Sequence, residues 1–161
     1  MNRKTALRVL VIALTGLVSL SNAQPADSIL DRIARSLPQM DAGWTYEITP
    51  FSKRHDGSRQ ASVKWKNGSN ESGATVIMYP NLKSAQRAFQ PSGKEDLQDE
   101  FRVAGVGDEA FLWPPKAPTG GAYNMRFRKA QVEIWMSGPT EEEVKDHATR
   151  IAAAIAPRKH D

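Results

Sequence analysis

The chain has 161 residues, a formal net charge of +4 and no cysteine. Without cysteine it can form no disulfide, no thiolate nucleophile and no cysteine-ligated metal site. A chain of this length suits one domain whose core is large enough to fold without disulfides, and no linker in it indicates a second domain.

The first 23 residues have the three-part pattern of a secretory signal peptide. Basic residues precede an apolar run from Val9 to Leu20, and Ser21-Asn22-Ala23 supplies the small residues of a cleavage site. The apolar run is shorter than the ~20 residues that a membrane-spanning helix needs, and no later segment approaches that length. We therefore expect cleavage after Ala23 and no membrane span.

Removal of this segment changes the charge of the protein. Arg3, Lys4 and Arg8 leave with it, so the 22 basic residues fall to 19 against 18 acidic ones. A mature domain of residues 24–161 that is nearly neutral gives no reason to expect binding to nucleic acid or to an anionic membrane. Because a lipid anchor would need a cysteine after the cleavage site, we expect a periplasmic or secreted protein that is not a lipoprotein.

The first half of the mature domain predicts a helix, three strands and a second helix. Asp27 or Ser28 can cap the first helix, and Pro38 ends it. Each strand shows the alternation of a half-buried strand, and Pro50 is expected to end the first one. The alternating residues are Trp44, Tyr46 and Ile48, then Ala61, Val63 and Trp65, then Ala74, Val76 and Met78. Asn81 can cap the second helix.

The segment from Val103 to Leu112 separates the two halves. Gly105 and Gly107 suit backbone angles that residues with a Cβ avoid, so we expect a turn here, just before a strand. Asp108 can cap this turn through its carboxylate. We expect Asp108 and Glu109 to close the turn, with ligand binding or acid–base chemistry as the alternative role.

The second half repeats the order strand, strand, strand, helix. Two of its strands alternate around Tyr123, Met125 and Phe127 and around Val132, Ile134 and Met136. Lys129-Ala130 suits a tight turn between them. Thr140 can cap the last helix, which has acidic residues in its first turn and ends at Pro157. The buried stripe of this helix is predicted to be Val144, Ala148, Ile151, Ala152 and Ile155.

These elements together predict an α+β fold. About six strands form a mainly antiparallel sheet from two pseudo-repeated β-β-β-α halves, with the helices packed on one face and an additional N-terminal helix. The repetition is one of pattern, since no residue repeat can be aligned.

The chain resembles a group of small exported bacterial domains. Gly-Val-Gly-Asp-Glu-Ala-Phe at Gly105 to Phe111 is followed by a hairpin with an Arg-Lys turn and by a Glu-rich helix with Ala-Ala spacing. From Thr75 to Ile155 the chain is thus similar to α+β domains with a G-x-G-D-E-A-aromatic turn, most of them of unknown function. More distantly, it resembles extracellular sensor domains of bacterial kinases. Those domains are expected to contain disulfides, and this chain differs from them because it has no cysteine. The resemblance implies an extracytoplasmic module and supplies no catalytic residues.

Few residues show a pattern typical of catalysis or metal binding. His55, His147 and His160 share no metal-ligand spacing, and the common nucleophile, phosphate and dinucleotide motifs are absent from the sequence. We therefore expect no metal and no cofactor. His55 could orient a general base with Asp56, but sequence neighbours rarely form such a pair, and a surface turn is the expected role.

The four tryptophans are the remaining candidates for a binding surface. Trp44, Trp65 and Trp135 fall in predicted strands, where we expect them to pack in the interior. Trp113 lies at a strand end against Pro114-Pro115, where a rigid exposed ring suits contact with a partner. The alternative is that Trp113 also belongs to the interior.

The sequence predicts an exported, non-catalytic binding or envelope-associated module. Trp113, Asp108 and Glu109 would contact its partner, an unknown protein, peptide or glycan of the cell envelope. Two alternatives are a small cofactor-independent periplasmic enzyme that uses carboxylates near Asp108 and a structural subunit of an envelope assembly. Convergence of His55 and Asp56 with these carboxylates would favour the enzyme, and an exposed apolar patch would favour the subunit.

Overall fold

The computed structural model describes residues 29–37, 43–68, 70–90, 99–115 and 121–155. The predicted signal peptide and its cleavage site lie outside these ranges. No helix within them combines the length and the apolar character that crossing a membrane requires.

The described residues form six strands and three α-helices, which confirms the α+β class. The strands are β1 (Thr45–Lys53), β2 (Arg59–Asn67), β3 (Asn70–Met78), β4 (Glu109–Trp113), β5 (Tyr123–Lys129) and β6 (Val132–Gly138). The helices are α1 (Ile29–Ser36), α2 (Leu82–Phe89) and α3 (Glu141–Ile155). All strand pairs are antiparallel, in the sheet order β1-β2-β3-β6-β5-β4. Strands β1 and β4 are therefore the two edges, and β3 and β6 join the halves.

One face of the sheet is covered by α1 and α3. Because side chains alternate along a strand, every second residue of the inner strands points into this layer. Met125, Phe127 and Ile134 there have no solvent exposure. The indole nitrogen of Trp65 donates to the carbonyl oxygen of Ala34 at 2.8 Å and so ties α1 to β2. The buried residues of α3 are Val144, Ala148, Ile151, Ala152 and Ile155, as the sequence predicts.

Helix α2 lies against the opposite face of the sheet. Its Ala85 packs with Ile77 in a separate buried cluster, and its Phe89 lies 5.7 Å from Phe111 between ring centroids. Ile77 follows Val76, which points into the α1 and α3 layer, so the two clusters are on opposite faces. The prediction that the helices pack on one face is thus wrong for α2, because β3 is apolar on both faces here.

Helix α2 is too short to cover the whole of this second face. Its eight residues make a helix about 12 Å long. Six strands at a spacing of about 4.8 Å make a sheet roughly 24 Å wide between the axes of its edge strands. Helix α2 therefore leaves part of this face of the sheet uncovered.

The edge strand β1 continues through Pro50, where the sequence predicted it to end. Proline lacks a backbone N–H, but an edge strand has one side without a partner strand and tolerates this loss. The register shifts between Thr49 and Ser52, which marks an irregularity at the proline. Tyr46, opposite Trp65 on the α1 and α3 side, is 40% exposed because the edge is incompletely covered.

Candidate functional site

The glycine segment before β4 turns close against the β5–β6 hairpin. Gly105 and Gly107 have φ values of +84° and +62°, in the region that favours glycine. The Asp108 amide donates to the carbonyl oxygen of Arg128 at 2.8 Å. A Cβ on Gly107 would lie 2.5 Å from that same oxygen, so the close approach requires glycine at this position.

The Asp108 carboxylate holds this segment to the turn between β5 and β6. Its Oδ2 accepts from the Ala130 amide at 2.8 Å and from Arg128 at 3.1 Å, and its Oδ1 accepts from Lys129 at 2.9 Å. Ala130 has a φ of +52°, so the first bond stabilises a backbone conformation that alanine disfavours. Burial raises the pKa of Asp108, but the hydrogen bonds from Lys129 and Ala130 and the two cationic charges outweigh it and lower the pKa below its ordinary value.

Glu109 also lies close to Arg128, with its Oε2 3.5 Å from the Arg128 Nε.

His55 and Asp56 lie in the β1–β2 turn, far from Asp108 and Glu109. The Ser58 amide donates to the Asp56 carboxylate there at 3.0 Å. Because β1 and β4 are opposite edges of the sheet, the two groups are on the order of 20 Å apart. They do not converge in one cleft. Among the residues that the structure describes, no cluster of three His, Asp or Glu side chains could hold a metal ion.

The strand register places two rows of side chains across the face opposite α1 and α3. From β4 to β2, the first row is Phe111, Arg126, Trp135, Thr75 and Ser62. The second row is Trp113, Asn124, Ser137, Gly73 and Lys64. Aromatic residues and an arginine thus lie towards β4, and mostly polar residues lie towards β2. We call the region from Trp135 and Asn124 to β2 the open face. It consists of Ser62, Lys64, Gly73, Thr75, Asn124, Trp135 and Ser137.

Trp113 and Trp135 belong to an aromatic stack at the border of the open face. The two indoles are nearly parallel, 8° apart, with centroids separated by 6.5 Å. Trp113 also stacks on Phe111 at 6.1 Å and lies 6.5 Å from Phe101. The Arg126 guanidinium lies 4.7 Å from the Trp135 centroid, in cation–π contact. Trp113 is half-buried as the last residue of β4, whereas Trp135 is 43% exposed.

The buried carboxylate of Glu133 holds Arg126 and Trp135 in place by hydrogen bonds. Glu133 is 1% exposed and lies two residues before Trp135 on the same face of β6. It accepts hydrogen bonds from Nε of Arg126 at 2.8 Å, from the Tyr79 hydroxyl at 2.9 Å and from the indole N–H of Trp135. Arg126 also donates to the carbonyl oxygen of Ala88 in α2 at 2.9 Å. Burial and the Glu133 charge raise the pKa of Tyr79, so its hydroxyl stays protonated and donates.

Beside Trp135 the open face contains a depression of about 360 Å³. It forms where Gly73 has no side chain between Lys64 and Ser137 in the second row. Other polar side chains that line it are Ser62, Thr75 and Asn124. The Lys64 ammonium lies 3.7 Å from the Glu71 carboxylate, and the Lys66 ammonium lies 4.0 Å from it, so two cationic groups of β2 share one anionic partner.

The exposed tryptophan and the residues that support it differ from what the sequence predicts. Trp135 was expected to pack in the interior, and that expectation is wrong, since nearly half of the residue is exposed. The available signal was its position between Ile134 and Met136, whose burial places Trp135 on the other face. Arg126 and Glu133 occupy equivalent positions, between apolar residues of β5 and β6.

Comparison with protein-family models, with curated proteins and with solved structures finds no match for this chain. The resemblance to exported domains with a G-x-G-D-E-A-aromatic turn therefore stays a prediction. The side chains of the open face and of the aromatic stack are the features from which a function can be inferred.

Proposed function

We propose that this protein is an exported, non-catalytic binding module of the bacterial cell envelope and that its open face holds the ligand. The observation that carries this proposal is Trp135, a large aromatic side chain that is 43% exposed although several partners fix its orientation. Aromatic anchors of this kind dominate binding energy at protein surfaces. A side chain that is already ordered loses little conformational entropy when a ligand arrives.

The export of the protein is inferred from its first 23 residues. A basic start, an apolar run and a small-residue cleavage site act together in bacterial secretion, so the mature chain begins at Gln24 in the periplasm or outside the cell. The proposed resemblance to exported sensor-like domains agrees with this location.

We also infer a pseudo-repeat in the fold. Each half follows the order β-β-β-α, and the sheet order β1-β2-β3-β6-β5-β4 places the strands of the two halves symmetrically about the β3–β6 pair, whereas α2 and α3 lie on opposite faces. The N-terminal helix precedes the first half. The open face then lies across the junction of the halves, where β3 and β6 contribute Gly73 and Trp135.

The other candidate contact residues have different surroundings. Trp113 borders the open face and supports Trp135 through their parallel stack. Asp108 and Glu109 are engaged by Arg128, and Asp108 also by Lys129, which supports a role in closing the turn. Their distance from His55 supports a binding module in preference to an enzyme.

A retention experiment tests the proposed function. The mature protein is immobilised, incubated with a solubilised envelope fraction and crosslinked, and the retained material is compared between wild type and Trp135→Ala. Tyr46→Ala is the matched control, because Tyr46 is an aromatic residue of similar exposure, 40%, on the other face of the sheet. Wild type and the control should retain the same component, and Trp135→Ala should lose it. Equal retention by all three proteins, or by none, would refute the proposal.

A separate measurement tests export. N-terminal sequencing of the protein purified from the periplasmic fraction or the medium should begin at Gln24. A cytoplasmic species that retains Met1 would contradict the inference.

A further inference from the structure

We propose that the ligand of the open face is an uncharged glycan, with one sugar ring stacked on the Trp135 indole and its hydroxyl groups directed into the depression over Gly73. This inference rests on the proposed function and names its ligand class. Three properties of the open face favour this class: an aromatic plane, hydroxyl and amide side chains within a partly apolar lining, and a shallow concave shape.

The Trp135 indole matches the apolar face of a sugar. A pyranose ring presents C–H groups whose carbons bear oxygen, so their hydrogens carry partial positive charge. The face of an indole is its negative part, and it therefore attracts such hydrogens as it attracts cations. The contacts of Trp135 with Trp113, Arg126 and Glu133 hold the indole in one orientation before the ligand arrives.

The lining of the depression matches the hydroxyl groups of a sugar. A hydroxyl or an amide side chain both donates and accepts hydrogen bonds, as sugar hydroxyls do. Side chains of this kind in the depression are Ser62, Thr75, Asn124 and Ser137. The Lys64 ammonium lies 3.7 Å from the Glu71 carboxylate, which Lys66 also approaches at 4.0 Å, and all three side chains are about half exposed. Solvent screens charges at such exposed positions, so they give only a weak preference for an anionic ligand.

The position of the depression disfavours an extended peptide. Peptides that add a strand need unpaired backbone groups at the edge of a sheet. The depression lies over β3 and β6, each of which has a strand on both sides, so their backbone groups are used within the sheet. Its volume of about 360 Å³ is at the lower end of the range for small-ligand sites and suits one or two sugar rings.

Gly73 provides a variant that fills the depression without disturbing the strand. A Cβ at this position would meet only ordinary contacts, 3.6 Å to the Val63 carbonyl oxygen and 3.9 Å to Cγ of Lys64. Valine also has a higher strand propensity than glycine. Gly73→Val should therefore fold as wild type does and place its methyl groups where the sugar hydroxyls would lie.

The test is a titration with defined saccharides, followed through the indole N–H signals in two-dimensional NMR. The uncharged probes are chitotriose, maltotriose and cellotriose; trigalacturonic acid is the anionic probe and trialanine the peptide probe. We expect saturable binding of at least one uncharged trisaccharide that shifts the Trp135 signal. Trp135→Ala and Gly73→Val should weaken this binding about tenfold or more, while Tyr46→Ala leaves it unchanged.

The possible outcomes separate the ligand class from the proposed function. If only the anionic saccharide or only the peptide binds, and binding depends on Trp135, the proposal of an uncharged glycan is wrong and the binding function of the open face stands. If no probe binds, the glycan class is refuted, and the retention experiment decides on the function separately. If an uncharged saccharide binds equally well to Gly73→Val, the site is not the depression and the inference fails.

Discussion

Replacing Gly107 with alanine tests whether the turn before β4 depends on its close approach to Arg128. A φ of +62° costs a residue with a Cβ roughly 1–2 kcal/mol. The new Cβ would also lie 2.5 Å from the Arg128 carbonyl oxygen, so the turn must move and weaken the 2.8 Å hydrogen bond of the Asp108 amide, worth about 1 kcal/mol. With the remaining steric strain, we expect the free energy of unfolding to fall by about 2–4 kcal/mol.

Urea unfolding followed by circular dichroism measures this loss, which should lower the midpoint without changing the slope m. Gly105→Ala is the matched control. Gly105 also has a positive φ, +84°, but a Cβ there meets nothing within 4 Å, so only the conformational cost of roughly 1–2 kcal/mol applies. Equal losses in the two variants would show that the approach to Arg128 does not constrain the turn, and an unchanged Gly107→Ala midpoint would refute the turn itself.

Three further substitutions test other parts of the structure. Folding lowers the pKa of Asp108, so the ionised carboxylate stabilises the protein at pH values above the ordinary carboxyl pKa. This stability is lost as the pH falls through the folded-state pKa. The urea midpoint of Asp108→Asn should therefore fall less steeply towards acid pH than that of the wild type. Glu133→Ala leaves buried donors without their acceptor and should cost about 3–5 kcal/mol by the same assay, whereas a loss under about 1 kcal/mol would contradict the network. Trp113→Ala removes the middle ring of the stack and should cost about 2–3 kcal/mol of stability besides weakening ligand affinity; unchanged stability would show that the stack does not support the fold.

Features set by sequence neighbours could be predicted from the sequence. The Asn81 side chain accepts from the Ser84 amide at 2.8 Å at the start of α2, and Thr140 accepts from the Glu143 amide at 3.2 Å at the start of α3. Such caps depend on residues within one helical turn. The alternation of the strands and the apolar stripe of α3 are equally local patterns, so the number and order of elements followed from them.

The candidate site could not be predicted, because it depends on which strands become neighbours. The alternation of β6 places Trp135 away from the core, but only the pairing of β3 with β6 places it beside Thr75 and Gly73. Whether α2 would cover this face depended on its length and direction after β3. Pro50 shows the same dependence, since proline ends an inner strand but is tolerated at the edge that β1 forms.

The hydrogen-bond network of Arg126 and Glu133 could not be predicted either, because it also depends on which elements pack together. Arg126 and Glu133 look like ordinary solvent-facing residues of two alternating strands. They become a partly buried ion pair, 2.8 Å apart, because α2 and the aromatic stack lie over this part of the sheet. Charged residues are rarely buried without partners, and the sequence does not show which residues will provide them.

The most direct test of the open face is the chemical reactivity of Trp135 with and without ligand. N-Bromosuccinimide oxidises accessible indoles, and mass spectrometry of the digested protein gives the rate for each tryptophan. In the free protein, Trp135 at 43% exposure should react well before Trp65 at 1%. A saturating uncharged trisaccharide from the titration should slow the oxidation of Trp135 and leave Trp65 unaffected. Equal Trp135 rates with and without the bound saccharide would contradict a ligand site on the open face.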